Sequence, residues 1–231
     1  LVVAGAGYGK RLDSGLPKQY VPLLGIPMLQ RTLSVFSACS AVDALLIVVN
    51  EEDVEYCESE IVLEQLGEKI VGVVAGGAER ALSVKNGLLA LAEAGTWDLV
   101  GVHDGARPLV TCGEVQRAVE ALAANSSLDG VVLGIPSTDT MKVVDTEGIV
   151  TSTPNRASLW RAQTPQIFRW NVLMDAYLKA GNELALASDD AAVVEAAGGR
   201  VAMVLGSSEN FKVTDRVDLR HAEQILAERR V

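Results

Sequence analysis

The chain has 231 residues, of which 49% are hydrophobic, and a formal net charge of −10 at pH 7. That length and apolar content support one large α/β domain or two small ones. The acidic balance argues against a general nucleic-acid-binding surface, and no apolar run approaches the ~20 residues that span a bilayer. Its three cysteines, Cys39, Cys57 and Cys112, are far apart and lack metal-ligand spacing. They read as buried thiols of a reducing, cytoplasmic compartment.

The first predicted strand, Val2–Ala4, empties into Gly5-Ala6-Gly7-Tyr8-Gly9-Lys10-Arg11, and Pro17-Lys18-Gln19 follows. Leu1 already stands inside that strand, which leaves room ahead of it for leading residues or a targeting segment. Glycines let backbone N–H groups approach a ligand, while Arg and Lys add full positive charge, a combination suited to a polyphosphate. Two look-alike loops fail here. A dinucleotide fingerprint needs glycine where Lys10 stands, and a P-loop needs glycine at Ala4 and a hydroxyl at Arg11. Pro17 fixes its own φ and restrains the segment that presents Lys18.

Further strands are predicted at Leu45–Val49, Ile70–Val74, Leu99–Val102 and Val131–Ile135, all continuous apolar runs suited to a sheet covered on both faces. Helical spacing falls between them, at Val84, Leu88 and Leu91 and again at Val115, Ala118, Val119 and Leu122. The alternation predicts a doubly wound, mostly parallel α/β sheet, Rossmann-like, with ligands at the carboxyl ends of its strands. Gly76-Gly77-Ala78-Glu79-Arg80 enters a helix, and its N–H groups with the Ser83 hydroxyl could read a nucleobase edge. Alone, it is an ordinary strand-to-helix turn. Asp104, in His103-Asp104-Gly105-Ala106-Arg107-Pro108, ends a strand, where it could hold Mg²⁺, and Arg107 could fork onto a phosphate. His103 reads as structural and His221 as a surface residue.

Residues 140–144 and 149–153 flank Asp145-Thr146-Glu147-Gly148, a β-hairpin pattern. Such a hairpin is marginal alone, so it is expected to project as an arm, at about 139–154, and to pack against a second copy. Ser188-Asp189-Asp190 opens a helix, and the last helix opens at Thr214-Asp215. No repeat, low-complexity tract or linker divides residues 1–231, which read as a single domain.

Taken together, these motifs, with Asp139-Thr140-Met141-Lys142, Leu159-Trp160-Arg161-Ala162-Gln163-Thr164-Pro165-Gln166 and Asn210-Phe211-Lys212-Val213-Thr214, closely resemble the 2-C-methyl-D-erythritol 4-phosphate cytidylyltransferase family of the non-mevalonate isoprenoid pathway. They occur in that family's order along nearly the whole chain. The resemblance implies CMP transfer from CTP to methylerythritol phosphate, with Mg²⁺, in a homodimer that exchanges arms. It implies that Arg11 and Lys18, with Arg156 and Lys212, carry the catalytic charge. Ala4, Gly5, Ala6, Gly7, Gly9, Gly77, Ala78 and Ser83 would hold the nucleotide, and Asp104 would serve the metal and nearby hydroxyls. Arg107, Thr140, Arg156, Thr164 and Lys212 would position the sugar phosphate, some across the dimer. The location implied is cytoplasmic, or plastid if a transit peptide was removed.

There are departures. Gly5 stands where the family commonly has Ala, Ala78 and Asn155 replace frequent Asp residues, and Ser188 replaces Thr. A related family acting on ribitol 5-phosphate is the alternative within the class, and a non-catalytic nucleotide-binding regulator the alternative outside it.

Overall fold

In the computed structural model, residues 1–7, 16–62 and 64–229 are described. Strand β1 (Val2–Ala4) is followed by a small β2–β3 pair (Pro22–Leu23 and Ile26–Pro27), helix α1 (Met28–Ala38) and β4 (Leu45–Val49). The short helix α2 (Val54–Tyr56), β5 (Ile70–Ala75), α3 (Arg80–Ala94) and β6 (Leu99–Asp104) come next. Then come α4 (Cys112–Ala123), β7 (Gly130–Pro136) and the hairpin strands β8 (Val143–Val144) and β9 (Val150–Ser152). The chain continues through β10 (Trp160–Arg169), α5 (Trp170–Lys179), α6 (Asp190–Ala196), β11 (Val201–Leu205) and α7 (Arg216–Glu228).

Seven strands form the main sheet in the order β11-β7-β10-β6-β1-β4-β5. All neighbours in it are parallel except around β10, which runs antiparallel to both β6 and β7. Alternating side chains feed two cores. Val2, Leu46 and Val48 pack under Val84, Leu88 and Leu91 of α3, while Val3, Ile47 and Val49 meet Leu29, Leu33 and Phe36 of α1. Every residue of β4 is buried, as expected of a strand covered on both faces. Gly87 lets α3 lie against the sheet, since a Cβ there would fall 2.8 Å from Val2 and 2.9 Å from Val48.

The sequence reading needs two adjustments here. The hairpin is present but its ladder is short, confined to Val143–Val144 and Val150–Ser152, and Gly148 takes the turn with φ 81°. Cys39 and Cys112 are not free thiols; they are joined, and only Cys57 is free. A separation of 73 residues hides that pair in sequence, but the end of α1 and the start of α4 bring their Cα atoms to 5.3 Å. Among the described residues, no helix is long and apolar enough to cross a membrane.

Candidate active site

β1 and β6 are adjacent, with Ala4 paired to Asp104, so the loop leaving β1 and the carboxylate ending β6 emerge side by side. They flank the point where the strand order reverses, which is where open α/β sheets bind ligands. A cleft of about 590 Å³ opens there. Its walls include Ala4 to Gly7, Lys18, Gly76 to Arg80, Ser83, Asp104 and Lys212. Lys18 begins a single 3₁₀ turn behind Pro17, whose φ is −54°. Gly76 and Gly77 are required by close packing. A Cβ on the first would fall 2.7 Å from both Ala6 and the Ser83 hydroxyl, and one on the second 2.6 Å from Leu82.

Asp104 is the electrostatic centre of the cleft. Its Oδ1 accepts from Arg80 Nε at 3.0 Å, while Oδ2 lies 3.0 Å from Lys212 Nζ and 3.5 Å from Arg107 Nε. Burial would raise this carboxyl's pKa, but the three cations outweigh it and hold it far below the usual carboxylate range. Lys212 arrives from the distant C-terminal part because its segment is pinned. Buried Asn210 donates to the Thr164 carbonyl at 2.9 Å, its own carbonyl accepts from Arg107 at 2.9 Å, and Val213 N–H donates to Ala106 at 2.9 Å.

Behind Asp104 lies a buried relay. Asp104 N–H donates to the Thr164 hydroxyl at 3.0 Å, and that hydroxyl lies 3.0 Å from His103 Nδ1. His103 Nε2 faces the Arg107 carbonyl at 3.1 Å. A carbonyl only accepts, so Nε2 carries the proton and Thr164 donates to Nδ1. Burial pushes the imidazole down to about 3, which keeps it neutral.

Among the described residues, the glycine-walled cleft sets Lys18, Arg80 and Lys212 among the carboxylates of Glu51, Glu52, Glu79 and Asp104, and no nucleophile–base pair lines it. The 2-C-methyl-D-erythritol 4-phosphate cytidylyltransferase family model, IspD, matches residues 1–228. The chain belongs to that family. Among curated relatives, the enzyme of that name from Geobacter metallireducens is 41% identical over 99% of this chain and 97% of its own. The one from Geotalea uraniireducens is 42% identical over 97% and 95%. Among solved structures, 4-diphosphocytidyl-2C-methyl-D-erythritol synthase from Anaerococcus prevotii superposes with a TM-score of 0.83 at 28% identity, covering 98% of this chain and 94% of its own. The Francisella tularensis cytidylyltransferase gives 0.81 at 30% identity, covering 96% and 97%.

For this IspD-family chain, the cleft gathers Ala4, Gly5, Ala6, Gly7, Lys18, Gly77, Ala78, Ser83, Asp104 and Lys212. Gly9 and Arg11 lie outside the described residues. The Ser83 hydroxyl is committed to its own loop, accepting from Gly77 N–H at 3.0 Å and lying 3.1 Å from the Glu79 carbonyl, so it shapes the turn instead of projecting to a base. Thr164, expected to touch the sugar phosphate, is instead buried behind Asp104, because its hydroxyl is held by the strand-end relay. Arg107 turns its side chain toward Asp104 and Asn210 and is not among the cleft-lining residues. Thr140 and Arg156 are exposed by the arm, away from the cleft lining; Arg156 reaches the Thr138 carbonyl at 3.4 Å.

Sequence reasoning assigned no role to Arg80. A signal was there: Arg80 is the first residue of α3, the helix end where the macrodipole disfavours a cation. Its placement therefore demands carboxylates nearby. As to a metal, among the described residues no three His, Cys, Asp or Glu side chains form a cage. Asp104 offers one carboxylate, which suits magnesium, since that ion accepts one or two protein carboxylates together with substrate phosphates.

Proposed function

We propose that this cleft catalyses cytidylyl transfer from CTP to 2-C-methyl-D-erythritol 4-phosphate. A phosphate oxygen of the polyol phosphate attacks the α-phosphorus of CTP and forms a new P–O bond. The bond from that phosphorus to the β-phosphate oxygen breaks, and pyrophosphate leaves with the electron pair. A phosphate monoester is already an anionic nucleophile at neutral pH, so no general base is needed. The chemical obstacle is repulsion: two like unit charges about 4 Å apart cost about 1 kcal/mol in water and about 4 kcal/mol at a surface-like dielectric. Fixed cations that need no reorganisation lower that barrier most.

The observation that carries this reading is Lys18 and Lys212 lining one glycine-walled cleft with Asp104, in a chain whose net charge is −10. Lys18 and Arg11 stabilise the charge of the transition state. Backbone groups of Ala4 to Gly9, with Gly77 and Ala78, hold the nucleotide, and Lys212 meets the sugar phosphate. Arg107 and Thr164 act by holding Asp104 and the Asn210 segment in place. Magnesium, held by Asp104 beside the phosphates, would neutralise charge on the triphosphate.

The arm belongs to the same reading. Met141, Val143, Val144, Ile149 and Val150 leave 47–61% of their surface exposed, which suits burial against a second copy. In such a homodimer, Thr140 and Arg156 serve the neighbour's sugar phosphate. The joined Cys39 and Cys112 remove the thiol argument for a reducing compartment, so the cytoplasmic location we propose rests on the phosphorylated substrates alone. Purified protein supplied with CTP, magnesium and methylerythritol phosphate is expected to release pyrophosphate. Release only with ribitol 5-phosphate would reassign the substrate, and CTP binding without release under either would make the protein a nucleotide-binding regulator.

A further inference from the structure

Arg80 does more than neutralise Asp104. While its Nε holds Asp104 Oδ1, its two terminal nitrogens fork onto Asp190, at 3.2 and 2.9 Å. Asp190 opens α6 and is fully buried, with no solvent to share its charge. Its Oδ1 also accepts from the buried Tyr177 hydroxyl at 2.6 Å, so that oxygen carries two donors. Burial first, and the neighbouring Asp190 second, push the Tyr177 hydroxyl up, so it remains a donor at any working pH. The entry to α6 is fixed as well. Gln166 of β10 donates to Asp189 at 2.8 Å and accepts from Ala191 N–H at 2.9 Å.

Asp190 and Tyr177 do not line the cleft, yet Arg80 does. A guanidinium on a cleft wall is a strong phosphate ligand, because its fork matches phosphate oxygens. Here the fork is already occupied by Asp190. We propose that Asp190 and Tyr177 are positioning residues: they hold Arg80 so that it orients the Asp104 carboxylate, and they withhold it from the phosphates of the nucleotide. A cation released to grip those phosphates would strengthen ground-state binding without serving the transition state, and would leave Asp104 less well fixed. That exchange lowers turnover.

The inference rests on the cytidylyl-transfer reading of the cleft, and the test separates the two. Pyrophosphate release is measured with CTP varied for the wild type, Asp190→Asn and Tyr177→Phe, alongside inhibition by added inorganic pyrophosphate. Asp190→Asn is expected to lower kcat at least about 10-fold while the KM for CTP falls about 3- to 10-fold and pyrophosphate inhibits more tightly, the pattern of added ground-state binding. Tyr177→Phe, which keeps the charge pair, should move both constants the same way by about 2- to 3-fold. It decides the matter if Asp190→Asn does not fold. A merely structural role would reduce the active fraction and the melting temperature, leaving the KM for CTP and the pyrophosphate inhibition constant unchanged. That result with an active wild type overturns this inference alone. A wild type that releases no pyrophosphate overturns the function, and this inference with it.

Discussion

Asp104→Asn keeps the side chain's shape and removes its charge. In the native cleft, Arg80, Arg107 and Lys212 converge on this carboxylate at 3.0, 3.5 and 3.0 Å. After substitution, among the described residues, Asp190 is the carboxylate still ion-paired to this cluster, through Arg80. Removing one partner of a buried pair costs about 3–5 kcal/mol. The Lys212 side chain is 40% exposed, so solvent screens its share and the low end, about 3 kcal/mol, is the better figure. For a chain of this size each kcal/mol moves the Tm by about 2–4 °C, so a loss of about 6–12 °C is expected without ligand. An anion in the cleft replaces the missing countercharge. Thermal unfolding with and without saturating inorganic pyrophosphate should therefore show a larger ligand-induced rise for Asp104→Asn than for wild type. A variant within about 1 °C of wild type, well below the computed loss, or one that pyrophosphate stabilises no more than wild type, would refute the reasoning.

Lys18→Ala should lower kcat by about 10²–10³-fold, the range for losing one preorganised charge stabiliser; more than half of wild-type turnover would remove Lys18 from that role. Arg156→Ala should raise the KM for the polyol phosphate and leave CTP binding little changed, and a loss confined to CTP would reverse its assignment. Acid should also reveal His103. Buried and neutral, with its pKa pushed down to about 3, it takes up its proton in the unfolded chain first. Stability is thus fully present above the ordinary histidine value and falls as pH drops toward 3, by up to about 1.4 kcal/mol per pH unit. Urea denaturation at pH 7, 5.5 and 4.5 should show a shallower decline for His103→Gln, and parallel declines would contradict the buried-neutral assignment.

Strands β1, β4, β5, β6 and β7 were legible from unbroken apolar runs, which burial leaves in strands such as Leu45–Val49, whereas the edge strand β11, only partly buried, was not predicted. Nor was β10, because Trp160–Arg169 mixes arginines, glutamines and Pro165, a residue that argues against a central strand. The register shift between Ala162 and Gln166 is how the sheet accommodates it. In the site, the glycine loops, Lys18 and Asp104 declare their chemistry locally. The Arg80–Asp190 pair does not, since the partners are 110 residues apart and meet only after α3 and α6 are in place. Thr164 shows the converse limit: its motif was visible, but the direction of its hydroxyl depends on His103, 61 residues earlier.

Lys18, Arg80 and Lys212 line a cleft of a molecule that is acidic overall, and this has a kinetic consequence. From afar, a nucleotide meets a body of net charge −10 and is repelled before it senses the cleft. Dissolved salt, with a screening distance of about 8 Å near 0.15 M, weakens that distant opposition more than the short-range pull of Lys18 and Lys212. Encounter with CTP should accordingly quicken as ionic strength rises from very low values, the reverse of enzymes that draw anions in with a positive exterior.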